Sequence, residues 1–170
     1  SILDVKRGDI GSSMAGYAAA FLGDDAPTRA DAITLSPYLG VGSLTPAIEA
    51  AVAGGHGLYV LARTSNPDGG TIQLADAGGA SVAQHVVDTI AALNPDNDHA
   101  VGLVVGATHR DPGCNLDAFN ASILAPGVGR RQGDGGGGRS GGGRGAAQRA
   151  VGAGMRVRPD GDHARPYETF

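Results

Sequence analysis

The stretch LYVLARTSNP, residues 58–67, decides the fold class because an apolar run passes directly into a polar turn. Residues 58–62 are aliphatic or aromatic throughout, which is typical of a parallel strand that is buried on both faces. Residues 64–67 end that strand with Thr, Ser, Asn and Pro, which favour a turn. A strand of this kind needs other elements to cover it, so the stretch predicts an α/β protein.

The same alternation of apolar strands and helical patterns extends along the chain in both directions. Apolar runs predict further strands at residues 1–5, 31–35, 101–105 and 122–125. Helical periodicity predicts helices at residues 11–22, 46–54 and 80–93. We expect Thr45 to cap the second helix, with Pro46 at its first position. The glycine-rich residues 68–79 are expected to form a loop.

Polar or glycine-rich residues follow each of the five predicted strands. In chain order they read DVKRGD, SPYLG, TSNP, GATHRD and PGVG. A doubly wound sheet places its ligand at a switch point in the strand order, whereas a (β/α)₈ barrel uses the carboxyl ends of all its strands. The pattern therefore favours the barrel. Because only five strands precede residue 130, we expect a partial (β/α)₈ TIM barrel containing about strands 3 to 7.

Composition divides the chain near residue 130. Residues 1–129 hold 5 Lys or Arg against 13 Asp or Glu, whereas residues 130–170 hold 8 Arg against 4 acids. Residues 130–149 read RRQGDGGGGRSGGGRGAAQR and bury too little apolar surface to offset the entropy of ordering them. We therefore expect a partial barrel domain at residues 1–129. The Gly/Arg-rich tail at residues 130–170 is expected to be disordered or the product of out-of-frame reading.

Composition also indicates the cellular compartment and the kinds of partner that the protein is expected to bind. The single cysteine, Cys114, excludes an internal disulfide and fits the reducing cytoplasm. No apolar run approaches the ~18 residues of a membrane span, so membrane insertion is not expected. The tail arginines lack the interleaved aromatic residues that bind single-stranded nucleic acid, so that partner is not favoured. The histidines show no metal-ligand spacing, although His109 could approach a substrate from its strand end.

The charged stretch DVKRGD, residues 4–9, is the first candidate for chemistry. Alternation along a strand places Asp4 and Lys6 on one face and Val5 on the other, with Asp9 at the start of the following helix. Carboxylates on both sides of a lysine favour its protonated form. Such an ammonium group can stabilise a developing carbanion and donate a proton to it. A surface cluster of salt bridges would have the same spacing, so the spacing alone leaves both interpretations open.

Four motifs in this order and spacing resemble the orotidine 5′-phosphate decarboxylase family. They are DVKRGDIGSS, SPYLGVGSL, LARTSNP and LAPGVG, and they are most similar to the bacterial branch found in mycobacteria and other actinobacteria. The resemblance implies a (β/α)₈ barrel that works as a homodimer with sites at the shared interface. It also implies decarboxylation of orotidine 5′-phosphate to UMP in pyrimidine biosynthesis, without a metal or an organic cofactor.

The resemblance implies roles for the three charged residues of the D-x-K-x-x-D pattern. Lys6 would be the acid that protonates C6 of the pyrimidine. Asp4 would stand beside the substrate carboxylate and hold Lys6 in place. Asp9 would reach into the site of the neighbouring subunit.

The resemblance also implies five residues that bind substrate. Ser13 would touch the ribose across the dimer, and Ser65 would hydrogen-bond the amide edge of the pyrimidine. Pro126, Gly127 and Gly129 would begin the loop that closes over the phosphate.

Several departures from the family pattern accompany the resemblance. The family carries an aspartate and a lysine on its first two strands, and both would precede Ser1. After PGVG this chain reads RRQG, where the family has a small residue followed by Gln-Gly-Gly. We therefore expect a fragment that folds poorly alone and is inactive by itself. Two alternatives stay open: a Mg²⁺-dependent sugar-phosphate decarboxylase or aldolase of the same superfamily, and a non-enzymatic fragment with an RNA-binding tail.

Overall fold

A computed structural model describes residues 1–127 of the chain. One sheet contains five strands: β1 (Ile2–Arg7), β2 (Ala32–Leu35), β3 (Gly57–Arg63), β4 (Val101–Val105) and β5 (Ile123–Leu124). Four α-helices lie between the strands: α1 (Gly11–Leu22), α2 (Thr45–Gly54), α3 (Gly70–Gln73) and α4 (Val82–Leu93). Short 3₁₀ turns occupy Val41–Leu44, Pro67–Gly69 and Asn94–Asn97. The predicted tail at residues 130–170 lies outside the described residues.

The strands lie side by side in the same order as in the sequence, and every neighbouring pair is parallel. A doubly wound sheet would reverse direction at a switch point, whereas consecutive order is the winding of a barrel. The structure therefore confirms the α/β class with a parallel sheet. All the strand carboxyl ends meet at one edge, which gathers the polar residues that follow each strand.

The two faces of the sheet carry different cores. The helix-covered face holds the main apolar cluster, which includes Met14, Ile33, Leu35, Leu44, Leu58, Val60, Ile90 and Leu103. The opposite face holds a smaller cluster of Ala32, Tyr59 and Val104, with Leu61 and Leu124 packed against it. Alternate residues of each strand thus reach both clusters, which explains why β2, β3 and β4 are largely apolar, with Thr34 as the polar residue of β2 and Arg63 at the end of β3.

Local details differ from the sequence predictions at three places. Thr45 is the first residue of α2 rather than its cap, because a 3₁₀ turn leads directly into the helix and the Thr45 hydroxyl donates to Gly42 O at 2.8 Å. Residues 68–79 are not only a loop, since they contain α3. The strand predicted at residues 122–125 is shorter, spanning only β5.

Among residues 1–127, no helix combines the length and the apolar character needed to cross a membrane.

Candidate active site

An ion pair lies at the carboxyl end of β1. Lys6 Nζ contacts Asp4 Oδ2, and both side chains stay about half exposed to solvent. Val5, between them, packs on the helix-covered face, as the alternation predicts. The same Asp4 carboxylate accepts a hydrogen bond from the Thr34 hydroxyl through Oδ1 at 2.7 Å. The pair is therefore fixed to the neighbouring strand and open to a ligand on the other side.

The β1 backbone departs from regular strand geometry at this pair. The register with β2 shifts between Leu3 and Arg7, and Lys6 adopts a φ of +48°, in the left-handed region. That conformation is unfavourable for a residue with a Cβ atom and requires support from its surroundings. Part of the support is a hydrogen bond of 3.0 Å from the Lys6 backbone N–H to Thr34 Oγ1.

Gly8 allows the chain to turn closely past β2 after this pair. A Cβ atom at this position would lie 2.2 Å from Ser36 O, so only glycine fits without moving the backbone. The Ser36 N–H donates to Arg7 O at 2.7 Å across the same approach. The glycine of the K-R-G motif is therefore a geometric requirement of the β1 end.

Electrostatics favour the ionised form of Asp4. The hydrogen bond from Lys6 lowers the pKa of the Asp4 carboxyl, and partial burial opposes this effect. The hydrogen bond from Thr34 and the charge of Lys6 lower the pKa further. The Asp4 carboxyl is consequently an anion at neutral pH, and it keeps the ammonium group in place.

The other two candidate residues of this region lie apart from the ion pair. Asp9 accepts a hydrogen bond from the N–H of Ile10 at 2.8 Å, and within residues 1–127 it forms no ion pair with Lys6. Within the described residues Lys6 therefore pairs with one carboxylate, that of Asp4, and the second carboxylate beside Lys6 stays a prediction for the partner subunit. Ser13 lies exposed in the first turn of α1, three residues beyond Ile10.

A side-chain amide holds the loop after β3 that carries Ser65. Gln73, at the end of α3, accepts hydrogen bonds through Oε1 from Thr64 N and Arg63 Nη1, both at 3.0 Å. Its Nε2 group donates to Thr64 Oγ1 at 2.8 Å. This explains why a helix occurs in the predicted loop: α3 brings Gln73 to the strand end.

The residues after β4 hold the Ser65 loop from its other side. Thr108 Oγ1 donates to Ser65 O at 3.3 Å, and His109 Nε2 lies 2.7 Å from Thr64 O. A Cβ atom on Gly106 would lie 2.7 Å from the backbone of Ser65, so the absence of a side chain there permits the contact. His109 thus contacts a loop that carries a candidate residue, through the backbone of Thr64.

The third group of candidate residues begins after β5. The Ala107 N–H donates to Pro126 O at 2.9 Å, which ties this segment to the end of β4. Gly127 has a φ of +90°, and a Cβ atom there would lie 2.7 Å from Thr108 Cγ2. Gly129 lies outside the described residues.

Within residues 1–127, no group of three His, Cys, Asp or Glu side chains is arranged to hold a metal ion.

Comparison with known proteins gives the family. The sequence model of the Orotidine 5′-phosphate decarboxylase / HUMPS family matches residues 1–154. The chain belongs to this family. The orotidine 5′-phosphate decarboxylase of Salinispora arenicola is 53% identical over 131 residues, which are 75% of this chain and 47% of that protein. The enzyme of the same name from Corynebacterium efficiens is 49% identical over 138 residues, covering 78% of this chain and 49% of that protein.

A solved structure agrees with these sequence relatives. A crystal structure from Streptomyces avermitilis, described as an orotidine 5′-phosphate decarboxylase, has 50% sequence identity and a TM-score of 0.69. The match covers 75% of this chain and 46% of that chain. The predicted resemblance and fold class are confirmed. The chain spans about half the length of the relatives that it matches.

Proposed function

We propose that the protein carrying this chain decarboxylates orotidine 5′-phosphate to UMP and CO₂ in pyrimidine biosynthesis. The observation that carries the proposal is the Asp4–Lys6 ion pair at the carboxyl end of a parallel strand. That edge is where enzymes with barrel folds carry out their chemistry. Relatives about half identical in sequence carry the name of this enzyme.

Lys6 is the proposed acid of the reaction. The bond between C6 and the carboxylate breaks, CO₂ leaves, and the electron pair stays on C6. The Lys6 ammonium group then donates a proton to C6, giving UMP, and the neutral amine recovers a proton from water. Because the carbanion has no electron sink attached to it, positive charge fixed in advance by Asp4 and the backbone supplies the stabilisation.

Asp4 acts on the substrate carboxylate, at the opposite end of the bond to C6. Its carboxylate is an anion close to the position of the substrate carboxylate, and departure of neutral CO₂ relieves the repulsion between them. Binding energy from the distant phosphate holds the substrate in place against that repulsion. Asp4 also holds Lys6 by their direct contact.

The remaining candidate residues are proposed to bind substrate. Ser65 hydrogen-bonds the amide edge of the pyrimidine, and its loop is held on both sides by Gln73 and Thr108. Pro126, Gly127 and Gly129 begin the loop that closes over the phosphate. Neither a metal ion nor an organic cofactor is needed for these steps.

The working form is proposed to be a cytoplasmic homodimer in which each chain contributes to the site of its partner. Ile10, Tyr38 and Leu39 are large apolar residues, 53–77% exposed, and they follow the carboxyl ends of β1 and β2. Burial of such residues at an interface is favourable. Asp9 and Ser13 flank Ile10 in sequence, so the same interface would carry them to the site of the partner.

Substrate discrimination tests the reaction. We expect the full-length protein to form UMP from orotidine 5′-phosphate at an undiminished rate in EDTA. Ribulose and gulonate phosphates with Mg²⁺ are the substrates of the sugar-phosphate alternative, and we expect no turnover of them. Turnover of those sugars, together with no formation of UMP, would overturn the proposal.

Mixing two inactive variants tests the shared site. Lys6→Ala and Asp9→Asn should each lower the rate strongly. In a mixed dimer, one of the two sites combines an intact Lys6 with an intact Asp9 from the other chain. Random exchange should therefore restore about one quarter of the wild-type activity. No recovery after exchange, shown by a tagged subunit, would place Asp9 in its own chain's site.

A further inference from the structure

We infer that the hydroxyl group of Thr34 fixes the relative position of Asp4 and Lys6, which makes Thr34 a positioning residue of the site. The inference rests on the proposed function, because positioning matters only if the pair acts on a substrate. Thr34 lies on β2 and is 1% exposed, so its hydroxyl has no access to solvent. Its side chain lies on the face of the sheet opposite the helices, because its neighbours Ile33 and Leu35 belong to the main apolar cluster.

The strand register explains why a single residue can reach both partners. Leu3 pairs with Ile33 and Arg7 pairs with Leu35, so three residues of β1 lie opposite Thr34 alone. Asp4 and Lys6 are the first and the third of these residues. The irregularity in β1 therefore brings two charged residues to one position of the neighbouring strand.

The hydroxyl accepts a hydrogen bond from one of these partners and donates a hydrogen bond to the other. The backbone N–H of Lys6 can only donate, so the Thr34 oxygen accepts it, at 3.0 Å. The hydroxyl proton is then available for Asp4 Oδ1, at 2.7 Å. Since Asp4 Oδ2 contacts Lys6 Nζ, the three residues form a closed ring of interactions through the backbone and the side chain of Lys6.

The ring has two consequences for the ammonium group. The bond to the Lys6 N–H supports the left-handed backbone conformation that directs the lysine side chain. The bond to Asp4 fixes the carboxylate that the ammonium group contacts. Without the hydroxyl, both restraints are lost together, and the proton donor moves relative to the reacting carbon. Misplacement of about 1 Å is enough to slow an enzymatic step strongly.

Thr34→Val in the full-length protein is the sharpest test, because valine keeps the shape of the side chain and removes both hydrogen bonds. We expect kcat to fall about 10- to 100-fold while KM changes less than about 2-fold. Thr34→Ser restores the hydroxyl and should recover kcat to within about 3-fold. Thr89→Val is the matched control, since Thr89 lies exposed on α4 and its hydroxyl donates to His85 O within the same helix.

A second measurement does not depend on turnover. Carbon-13 NMR of the Asp4 carboxyl should show a higher pKa in Thr34→Val than in the wild type, with Thr34→Ser close to the wild type and Thr89→Val unchanged. Lys6 is the charged side chain that acts on this carboxyl, and it is present in every variant. Thermal unfolding checks that each variant is folded, and Thr34→Ala replaces Thr34→Val if valine prevents folding.

The outcomes separate this inference from the proposed reaction. An unchanged kcat and an unchanged Asp4 titration in Thr34→Val would overturn the role of Thr34, and so would a rise in KM alone. A wild-type protein that forms no UMP would overturn the proposed function instead. In that case the Asp4 titration would still decide whether Thr34 holds the pair.

Discussion

The carboxyl ends of β1 and β3 hold their candidate residues in different ways. At β1 the functional groups are a charged pair about half exposed to solvent, fixed by one hydroxyl group from β2. At β3 the loop of Ser65 is fixed through its backbone and its neighbours, by the neutral amide of Gln73 and by the residues after β4. This difference is consistent with the roles proposed above, proton transfer at the β1 end and recognition of the amide edge of the pyrimidine at the β3 end.

The difference predicts that substitutions at the carboxyl ends of β1 and β3 will change different kinetic constants, kcat at β1 and KM at β3. Loss of the charged pair removes stabilisation that exists only in the transition state, so it should lower kcat. Displacement of the Ser65 loop removes the proposed contact of Ser65, which bound substrate and transition state would make alike, so it should mainly raise KM.

The largest effect is expected at Lys6, the only lysine in the sequence. Lys6→Ala removes the proposed proton donor, so we expect kcat to fall on the order of 10²- to 10⁴-fold. Arg29→Ala is the control, because Arg29 follows α1 in the chain and forms an exposed ion pair with Asp24. Steady-state formation of UMP measures both variants. An equal loss in the two variants would mean that charge in general, rather than Lys6, is responsible.

The next effect is expected at Gln73. Gln73→Leu removes the acceptor of the Thr64 N–H and one of the two acceptors of Arg63 Nη1, which keeps Thr64 O, so the Ser65 loop moves. We expect KM to rise about 10-fold, which corresponds to about 1.4 kcal/mol, with a smaller change in kcat. Gln84→Leu on α4 is the matched control, since Gln84 bonds Asp88 and Asn115 instead. A fall in kcat without a rise in KM would break the contrast between the two strand ends.

Glycine substitutions compare the two ends by stability. Gly8→Ala places a Cβ atom 2.2 Å from Ser36 O, and Gly106→Ala places one 2.7 Å from the Ser65 backbone. Each substitution should therefore destabilise the fold by about 1–3 kcal/mol. Gly16→Ala is the control, because that position lies within α1 with open space around it and should gain about 0.5–1 kcal/mol. Denaturant unfolding measures all three. Wild-type stability in Gly8→Ala would contradict the close approach at β1.

The smallest effect is expected from the pH dependence of stability. The lowered pKa of Asp4 means that the unfolded chain binds more protons than the folded chain at acidic pH. The Asp4 contribution to stability is therefore present above the ordinary value of 3.8 and is lost as pH falls through the lower folded value. Because the pair is half exposed, the contribution should stay below about 1 kcal/mol. Asp4→Asn should flatten the unfolding free energy between pH 2 and pH 5, and an unchanged slope would contradict the shift.

Much of the fold could be predicted because the dominant signal is local. Strands β3 and β4 contact apolar groups on both faces, and that requirement appears directly as continuous apolar runs. The start of α2 could not be predicted as accurately, because a 3₁₀ turn precedes the helix and Thr45 is its first residue rather than its cap. The short helix α3 was missed because its four residues include a glycine and show too little periodicity.

The site could be predicted only where a motif lies on one segment. Asp4 and Lys6 share a strand, so their proximity follows from alternation. Thr34 and Gln73 come from other segments, and their contacts depend on register and on the position of α3. A usable signal existed for Thr34, which is the one polar residue in the otherwise apolar strand β2. For Gln73 no local pattern distinguishes it from a surface glutamine.

The most direct test of the central claim is to restore an ammonium group chemically at position 6. In a Cys114→Ser background, Lys6→Cys should form UMP very slowly, and alkylation with 2-bromoethylamine should rebuild a lysine-like ammonium group there. We predict that this treatment raises the rate at least about 10-fold, whereas alkylation with neutral iodoacetamide leaves it low. Full turnover in Lys6→Cys before alkylation, or equal recovery with both reagents, would contradict the account.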